Sequence, residues 1–278
     1  MKYNKKESFA IRFLYHTFLG RMLLKILSCS FLSRVFGLFL DSCFSKFLIK
    51  PFAKKNNINC NEYYCDNLKS FNDFFARKVR VEARPIAKAE KQLISPSDGF
   101  LSVYPIKDGL VLPVKQSHYS ILSLLKNEEL ALKYQDGICV VIRLCVFNYH
   151  RYCYIDNGTK GKNVFIPGKL HTVRPIALEK YPVFTENARE YTVMETEHFK
   201  TMTQVEVGAL LVGKIKNYHE EYSFSKGEEK GKFLFGGSTI ILLFQKNAIK
   251  IPEKYFECTK KGKEIPVKMG EKIGEAQR

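Results

Sequence analysis

The sequence has no tryptophan, no closely spaced cysteine pair, few acidic residues near its start and no uncharged run long enough to cross a bilayer. Its longest stretch free of Asp, Glu, Lys and Arg is Phe233 to Gln245, 13 residues. A spanning helix needs about 20 mostly apolar residues, so an ordinary transmembrane helix is excluded. A secretory signal is excluded as well, because Arg21, Lys25 and Arg34 break the early apolar runs and no small-residue cleavage site follows them. The eight cysteines are scattered from Cys29 to Cys258 without any Cys-x-x-Cys spacing, several in or beside apolar runs. That spread excludes a disulfide framework and a zinc or other metal site, and it predicts buried free thiols in a reducing compartment.

What is present is a chain of 278 residues that is 45% hydrophobic and 13% aromatic, with 22 Phe and 15 Tyr. That content excludes a disordered chain and allows one or two cored domains. The formal net charge is +17, and residues 1–55 hold 11 Lys and Arg against two acids, Glu7 and Asp41. A basic, apolar N-terminal region suits an anionic membrane surface, a nucleic acid or a targeting role. Neither a recognition helix nor an RNA-binding aromatic motif accompanies it, so nothing beyond charge favours nucleic acid.

The apolar spacing divides the chain. Ile11, Leu14, Phe18, Met22 and Ile26 recur every three or four residues, and Phe31, Val35, Leu38 and Phe39 continue the pattern. This predicts helix over residues 8–50, stopped by Pro51, with an apolar face that packs either on the protein or on a membrane. A second short helix is predicted from Ser70 to Arg77, and His118–Glu129 reads as an inserted helix. From Pro85 onward, runs rich in Val, Ile, Tyr and Phe alternate with turn residues, among them Phe100–Tyr104, Leu110–Val114, Ile138–Leu144, Tyr191–Glu195, Gln204–Leu211 and Thr239–Phe244. The expected class is α+β: a helical region over 1–80, a compact β-rich domain over 81–258 and a loose charged tail over 259–278.

Three segments carry candidate chemistry: Ser95-Pro96-Ser97-Asp98-Gly99, Asn148-Tyr149-His150-Arg151-Tyr152-Cys153 and Phe235-Gly236-Gly237-Ser238-Thr239. Each alone has an ordinary structural reading: a tight turn, a structural His with its neighbouring Arg, and a β-bulge. Together they offer Asp98, His150 and Ser238 on three turns of one β-rich domain. A serine hydroxyl is a poor nucleophile until a base sits beside it, and the base needs an orienting group.

The order and spacing of these and further motifs resemble the phosphatidylserine decarboxylase family over nearly the whole chain. The resemblance rests on Ser33-Arg34 with Gly37, Phe71-Asn72-Asp73-Phe74-Phe75-Ala76-Arg77, Arg84-Pro85-Ile86, Ser95–Gly99, Tyr149-His150-Arg151, Pro167–Val173, Glu186–Arg189, Val207-Gly208-Ala209 with Val212-Gly213, Lys226-Gly227-Glu228 and Gly237-Ser238-Thr239. It implies a proenzyme that cuts itself between Gly237 and Ser238, with Asp98 orienting a His that activates Ser238. Ser238 would become a pyruvoyl group heading a 41-residue chain, held non-covalently by the larger piece. That group would form a Schiff base with phosphatidylserine and release CO2 to leave phosphatidylethanolamine, with no external cofactor. The glycines before Ser238 would leave the attacked carbonyl unobstructed.

One departure matters. Many family members carry Asp-Tyr-His-Arg-x-His where this chain has Asn148 and Cys153 at the two ends. The second His is the one usually assigned to self-cleavage, so His150 is the expected base here, with His171 and the Cys153 thiol as alternates. His16, His118, His198 and His219 are expected at the surface or in packing. The implied setting is a peripheral protein on the cytoplasmic side of the cell membrane, bound to anionic phospholipid and not to nucleic acid, with homodimerisation left open. Alternatives are a related pyruvoyl decarboxylase of a soluble amino acid and an uncleaved, non-catalytic relative.

Overall fold

The computed structural model describes residues 30–107, 111–114, 117–169, 183–208, 215–236 and 238–277, together with Phe13, Thr17, Leu19 and Gly20. Most of the expected helix over residues 8–29, together with His16, His171, Gly237 and the His118 side chain, lies outside the described residues.

Among the described residues, the first helix of the helical layer is α1, Ser30–Asp41. At Ser42 the chain bends, and the Ser42 hydroxyl donates to the Phe39 carbonyl at 2.6 Å. A short 3-10 helix, Cys43–Leu48, leads into α2, Ile49–Asn56. Pro51 therefore does not stop the helix. It sits in the first turn of α2, where a missing N–H removes no intrahelical bond. The aromatic helix α3, Phe71–Phe75, is capped by the Ser70 hydroxyl, which accepts the Asp73 N–H at 3.1 Å. The fully buried Ser45 hydroxyl accepts the Phe71 N–H at 2.8 Å and so ties α3 to the 3-10 helix. Among the described residues, four short or medium helices follow: α4 (Ile121–Leu125), α5 (Glu128–Leu132), α6 (Val183–Glu186) and α7 (Glu253–Lys260). The inserted helix expected at His118–Glu129 is thus a strand end followed by α4 and the start of α5.

The first strands are β1 (Tyr63–Tyr64), β2 (Lys78–Val79), β3 (Gln92–Ile94), β4 (Gly99–Pro105), β5 (Val111–Val114), β6 (Ser117–Ser120), β7 (Ile138–Leu144), β8 (Arg151–Cys153), β9 (Gly158–Lys160) and β10 (Val164–Ile166). Those that follow are β11 (Arg189–Thr196), β12 (Lys200–Val207), β13 (Ile215–Asn217), β14 (Tyr222–Phe224), β15 (Glu229–Phe233), β16 (Ser238–Phe244), β17 (Ile249–Lys250), β18 (Ile265–Val267) and β19 (Lys272–Ala276). Nine of them form one antiparallel sheet in the order β14-β9-β11-β12-β16-β7-β4-β18, with β10 added on β11. Two three-stranded sheets, β13-β15-β8 and β17-β19-β3, lie beside it.

The central strand β16 is buried at every position. Ile241 and Leu243 pack with Ile121, Leu124 and Tyr134 on one face. Ile240, Leu242 and Phe244 pack with Leu93, Tyr152 and Phe233 from the small sheets on the other. Covering both faces explains why the sequence here is an unbroken apolar run rather than an alternating one. The C-terminal segment departs from expectation: residues 265–267 pair with β4 and 272–276 pair with β3 and β17, so it is woven into two sheets rather than loose. Of the described cysteines, Cys139 and Cys153 are buried free thiols as expected, whereas Cys43 and Cys60 are exposed.

Candidate active site

Ser238 heads β16 opposite Leu144 of β7 and is fully buried. His150 immediately precedes β8, and its carbonyl accepts the Phe233 N–H at 2.9 Å from the end of β15. This extension of the β8–β15 pairing brings the imidazole to the head of the central strand. Ser238 Oγ lies 3.4 Å from His150 Nδ1, and His150 Nε2 lies 3.1 Å from the Cys145 carbonyl oxygen. A carbonyl only accepts, so Nε2 carries the ring proton. Nδ1 is then left with a lone pair directed at the serine hydroxyl.

The imidazole is enclosed. Its ring stacks on Phe75 of α3 with centroids 4.1 Å apart, and no part of His150 is exposed. Burial first, then the nearby Arg77 guanidinium, push its pKa down to about 3, against a small opposing effect of the Cys145 carbonyl. The ring is therefore neutral at physiological pH and available as a base. Gly236, two residues before Ser238, has φ +129°, a conformation that favours glycine.

Asp98 is placed differently from the expectation. Its carboxylate takes Arg84 in a two-pronged pair, Nε to Oδ1 at 2.7 Å and Nη2 to Oδ2 at 2.6 Å, and Oδ1 also accepts the Met269 N–H at 2.9 Å. Arg84 in turn reaches Glu62 at 2.9 Å. The expected Asp98–His150 contact is not among these bonds, and the Cys145 carbonyl occupies the orienting position. A planar guanidinium satisfies both carboxylate oxygens with charge-assisted bonds, which makes it the stronger partner for a buried aspartate. Asp98 is brought close to β7 by Gly99, where a Cβ would lie 2.6 Å from the Ile142 side chain and 2.9 Å from the Arg143 carbonyl.

Cys153, one of the alternates, packs in the core with Leu93, Tyr152 and Phe233. Burial pushes its thiol up to about 12, which keeps it protonated and unsuited to accept a proton at neutral pH. His198 is held by Asp156 through its backbone N–H and Nδ1, and His219 stacks on Tyr222 at 3.8 Å, so both have packing roles.

Several contributors were missed by sequence reasoning. The Cys145 carbonyl is a backbone group, and side-chain motifs give no signal for it. Phe75 and Asn72 stood inside a quoted motif, but only the fold gives them partners. One strand over from Ser238, a fully buried Lys230–Glu206 pair at 2.7 Å is extended by Gln204 and Asn217. Its only sequence trace is Glu206 inside the strand-like run Gln204–Leu211.

Comparison with known proteins gives this arrangement its family. The model described as phosphatidylserine decarboxylase matches residues 71–275, which takes in every element around Ser238 and His150, and the chain belongs to that family. Its relatives include "Phosphatidylserine decarboxylase proenzyme 2" of Clostridium acetobutylicum, 47% identical over 266 residues that cover 95% of this chain and 91% of the relative. The phosphatidylserine decarboxylase proenzyme of Clostridium novyi is 43% identical over 270 residues, covering 95% and 92%. That of Clostridium botulinum is 41% identical over 266 residues, covering 94% and 90%.

Proposed function

We propose that this chain decarboxylates phosphatidylserine to phosphatidylethanolamine, and that it first cuts itself between Gly237 and Ser238 to turn Ser238 into a pyruvoyl group. The observation that carries the reading is the buried Ser238 Oγ, 3.4 Å from a neutral His150 Nδ1 whose other nitrogen is tied to a carbonyl.

In the cut, His150 takes the Ser238 proton as Oγ attacks the Gly237 carbonyl. A pKa near 3 means the imidazolium is short-lived, so the proton passes on to the departing amide nitrogen. The Gly237–Ser238 amide is exchanged for an ester. Elimination then breaks the ester to leave a Gly237 carboxylate and a dehydro-residue, and one water replaces its nitrogen, which leaves as ammonia. The residues fit this outcome: the serine heads a fully buried strand, next to a base and behind a glycine at φ +129°. Once formed, the pyruvoyl carbonyl supplies the electron-poor group that takes up the electron pair left by departing CO2. Asp98 contributes by holding Arg84 and the Met269 amide, a positioning role rather than contact with His150.

The substrate is a membrane lipid, and the helical layer offers a surface for one. Val35, Leu38, Phe39, Phe44 and Phe47 are 40–79% exposed, with Lys46, Lys50, Lys54 and Lys55 among or just after them. Exposed aromatics beside lysines suit an anionic bilayer, where each basic residue contributes about 1 kcal/mol. The protein is accordingly placed by this reading at the cytoplasmic face of the membrane, as a non-covalent pair of its own two cleavage products.

The test is the intact mass of the purified protein under denaturing conditions, with decarboxylation followed on phosphatidylserine vesicles and on free serine. Two chains meeting at 237/238, with Ser238→Ala remaining one, and CO2 released from vesicles support the reading. A single inert chain overturns it, and activity on free serine alone transfers it to a soluble amino acid.

A further inference from the structure

We infer that Asn72 is a positioning residue for self-cleavage, a clamp that holds the chain just before the cut in register with His150. The inference rests on the proposed cleavage at Gly237–Ser238. Asn72 is 4% exposed. Its side-chain Oδ1 accepts the Phe235 N–H at 3.2 Å, and its Nδ2 donates to Asp41 Oδ1, at the end of α1, at 2.9 Å. The two partners fix the orientation of the amide, since the N–H needs an acceptor and the carboxylate needs a donor.

Capping does not explain this residue. The N-terminus of α3 is already served by Ser70, and Asn72 turns its amide to two other segments. Phe235 is held at its side chain as well, with Phe71 at 5.2 Å and Phe75 at 5.1 Å between ring centroids. Asn72 and Phe75 are three residues apart on α3 and so lie on one face of the helix. The first grips the backbone two residues before Gly237, and the second stacks on the His150 ring. One turn of helix thus sets the base and the scissile segment relative to each other. Attack by a neighbouring hydroxyl needs near-contact geometry, and a misplacement of about 1 Å costs roughly 100-fold in rate.

Among side chains of this size only an amide both accepts and donates here. Asn72→Asp keeps the acceptor but sets a second carboxylate against Asp41. Combining it with Asp41→Asn rebuilds the clamp with the roles reversed. The experiment follows the appearance of the 41-residue chain by intact mass in freshly synthesised full-length protein. Thermal unfolding of the same variants is measured in the Ser238→Ala background, where no cut occurs. Asn72→Asp is expected to slow the cut by about 10- to 100-fold, with Asn72→Asp/Asp41→Asn returning to within a few-fold of the unmodified chain and unfolding midpoints little changed. Cleavage of Asn72→Asp and Asn72→Ala at the normal rate overturns the inference. So does a loss of rate that only tracks a loss of folded protein, or a double variant that folds but stays slow. If the unmodified chain remains uncut, the cleavage reading itself has failed, and that is read from the unmodified chain alone.

Discussion

Acid should weaken this fold through one residue, and the effect can be isolated. His150 is fully buried, with a folded pKa near 3 against 6.5 for an ordinary histidine. A base whose pKa is depressed by folding binds fewer protons in the native state than in the unfolded chain. Stability from this group is therefore constant above the unfolded value and falls as pH drops below 6.5, until the folded ring protonates near pH 3. Between pH 7 and pH 5 the unfolded chain gains most of one proton that the native state does not, and the loss is about 2 kcal/mol, or some 30-fold in the unfolding equilibrium. Other groups titrate in the same range, so the measurement is a difference. Urea unfolding of Ser238→Ala, which lacks the hydroxyl of the proposed cut, is compared at pH 7, 6 and 5 with Ser238→Ala/His150→Gln, whose amide does not titrate. The first protein should lose about 2 kcal/mol more than the second over that interval. Equal losses would mean that the imidazole is hydrated or already charged in the native state, and the neutral-base argument would fall with it.

Three further outcomes follow from buried charge and exposed apolar surface. Replacing Arg84 by Leu leaves Asp98 buried without its guanidinium, which should cost about 3–5 kcal/mol in urea unfolding; a change under 1 kcal/mol would show that the pair is solvated. Lys230→Met strands Glu206 in the core at a similar cost of about 3–5 kcal/mol, and Lys230→Met/Glu206→Leu should recover most of it, whereas no recovery would mean that the loss comes from packing. Phe44→Ser with Phe47→Ser should weaken sedimentation with anionic vesicles tenfold or more while leaving thermal unfolding unchanged, and unaltered binding would remove these two residues from the lipid-facing surface.

Legibility in the sequence depended on whether the signal was local. Strand β7 was readable because Ile138–Ile142 is a continuous β-branched and apolar run, extended through Arg143 to Leu144 and bounded by turn residues. Ser238 and His150 were readable because each sits in a short motif at a strand end. The partner of Asp98 was not, since Arg84 lies 14 residues earlier and neither residue type names the other. The C-terminal strands were missed because their charge is high and their apolar residues few. Ile265, Val267 and Ile273 suffice only because β3 and β4 offer ready edges. Pro51 was misread for a related reason: a proline marks a helix start as readily as a stop, and the choice depends on the preceding bend at Ser42.

The woven C-terminus bears directly on the proposed cut. A break before Ser238 leaves β16 between two strands of the larger piece, paired through six residues with β12 and seven with β7. β18 stays on β4 and β19 on β3. Side chains add to this: Arg143 holds Glu264 in a two-pronged pair, Thr259 accepts the Val103 N–H at 3.0 Å and Asp98 accepts the Met269 N–H. Separating the pieces would open the central strand of a nine-stranded sheet and both cores against it, so the cut need not loosen the site. The same topology fixes the order of events. Ser238 and His150 are 88 residues apart and meet only when β16 has entered the sheet and β8 has paired with β15. On the proposed reading, folding would thus come first and the cut second, after the two halves can hold each other. Asp98 fits this order: a buried carboxylate that ties Arg84, ahead of the sheet, to Met269, near the chain end, would serve assembly of the two proposed pieces more than proton transfer at the serine.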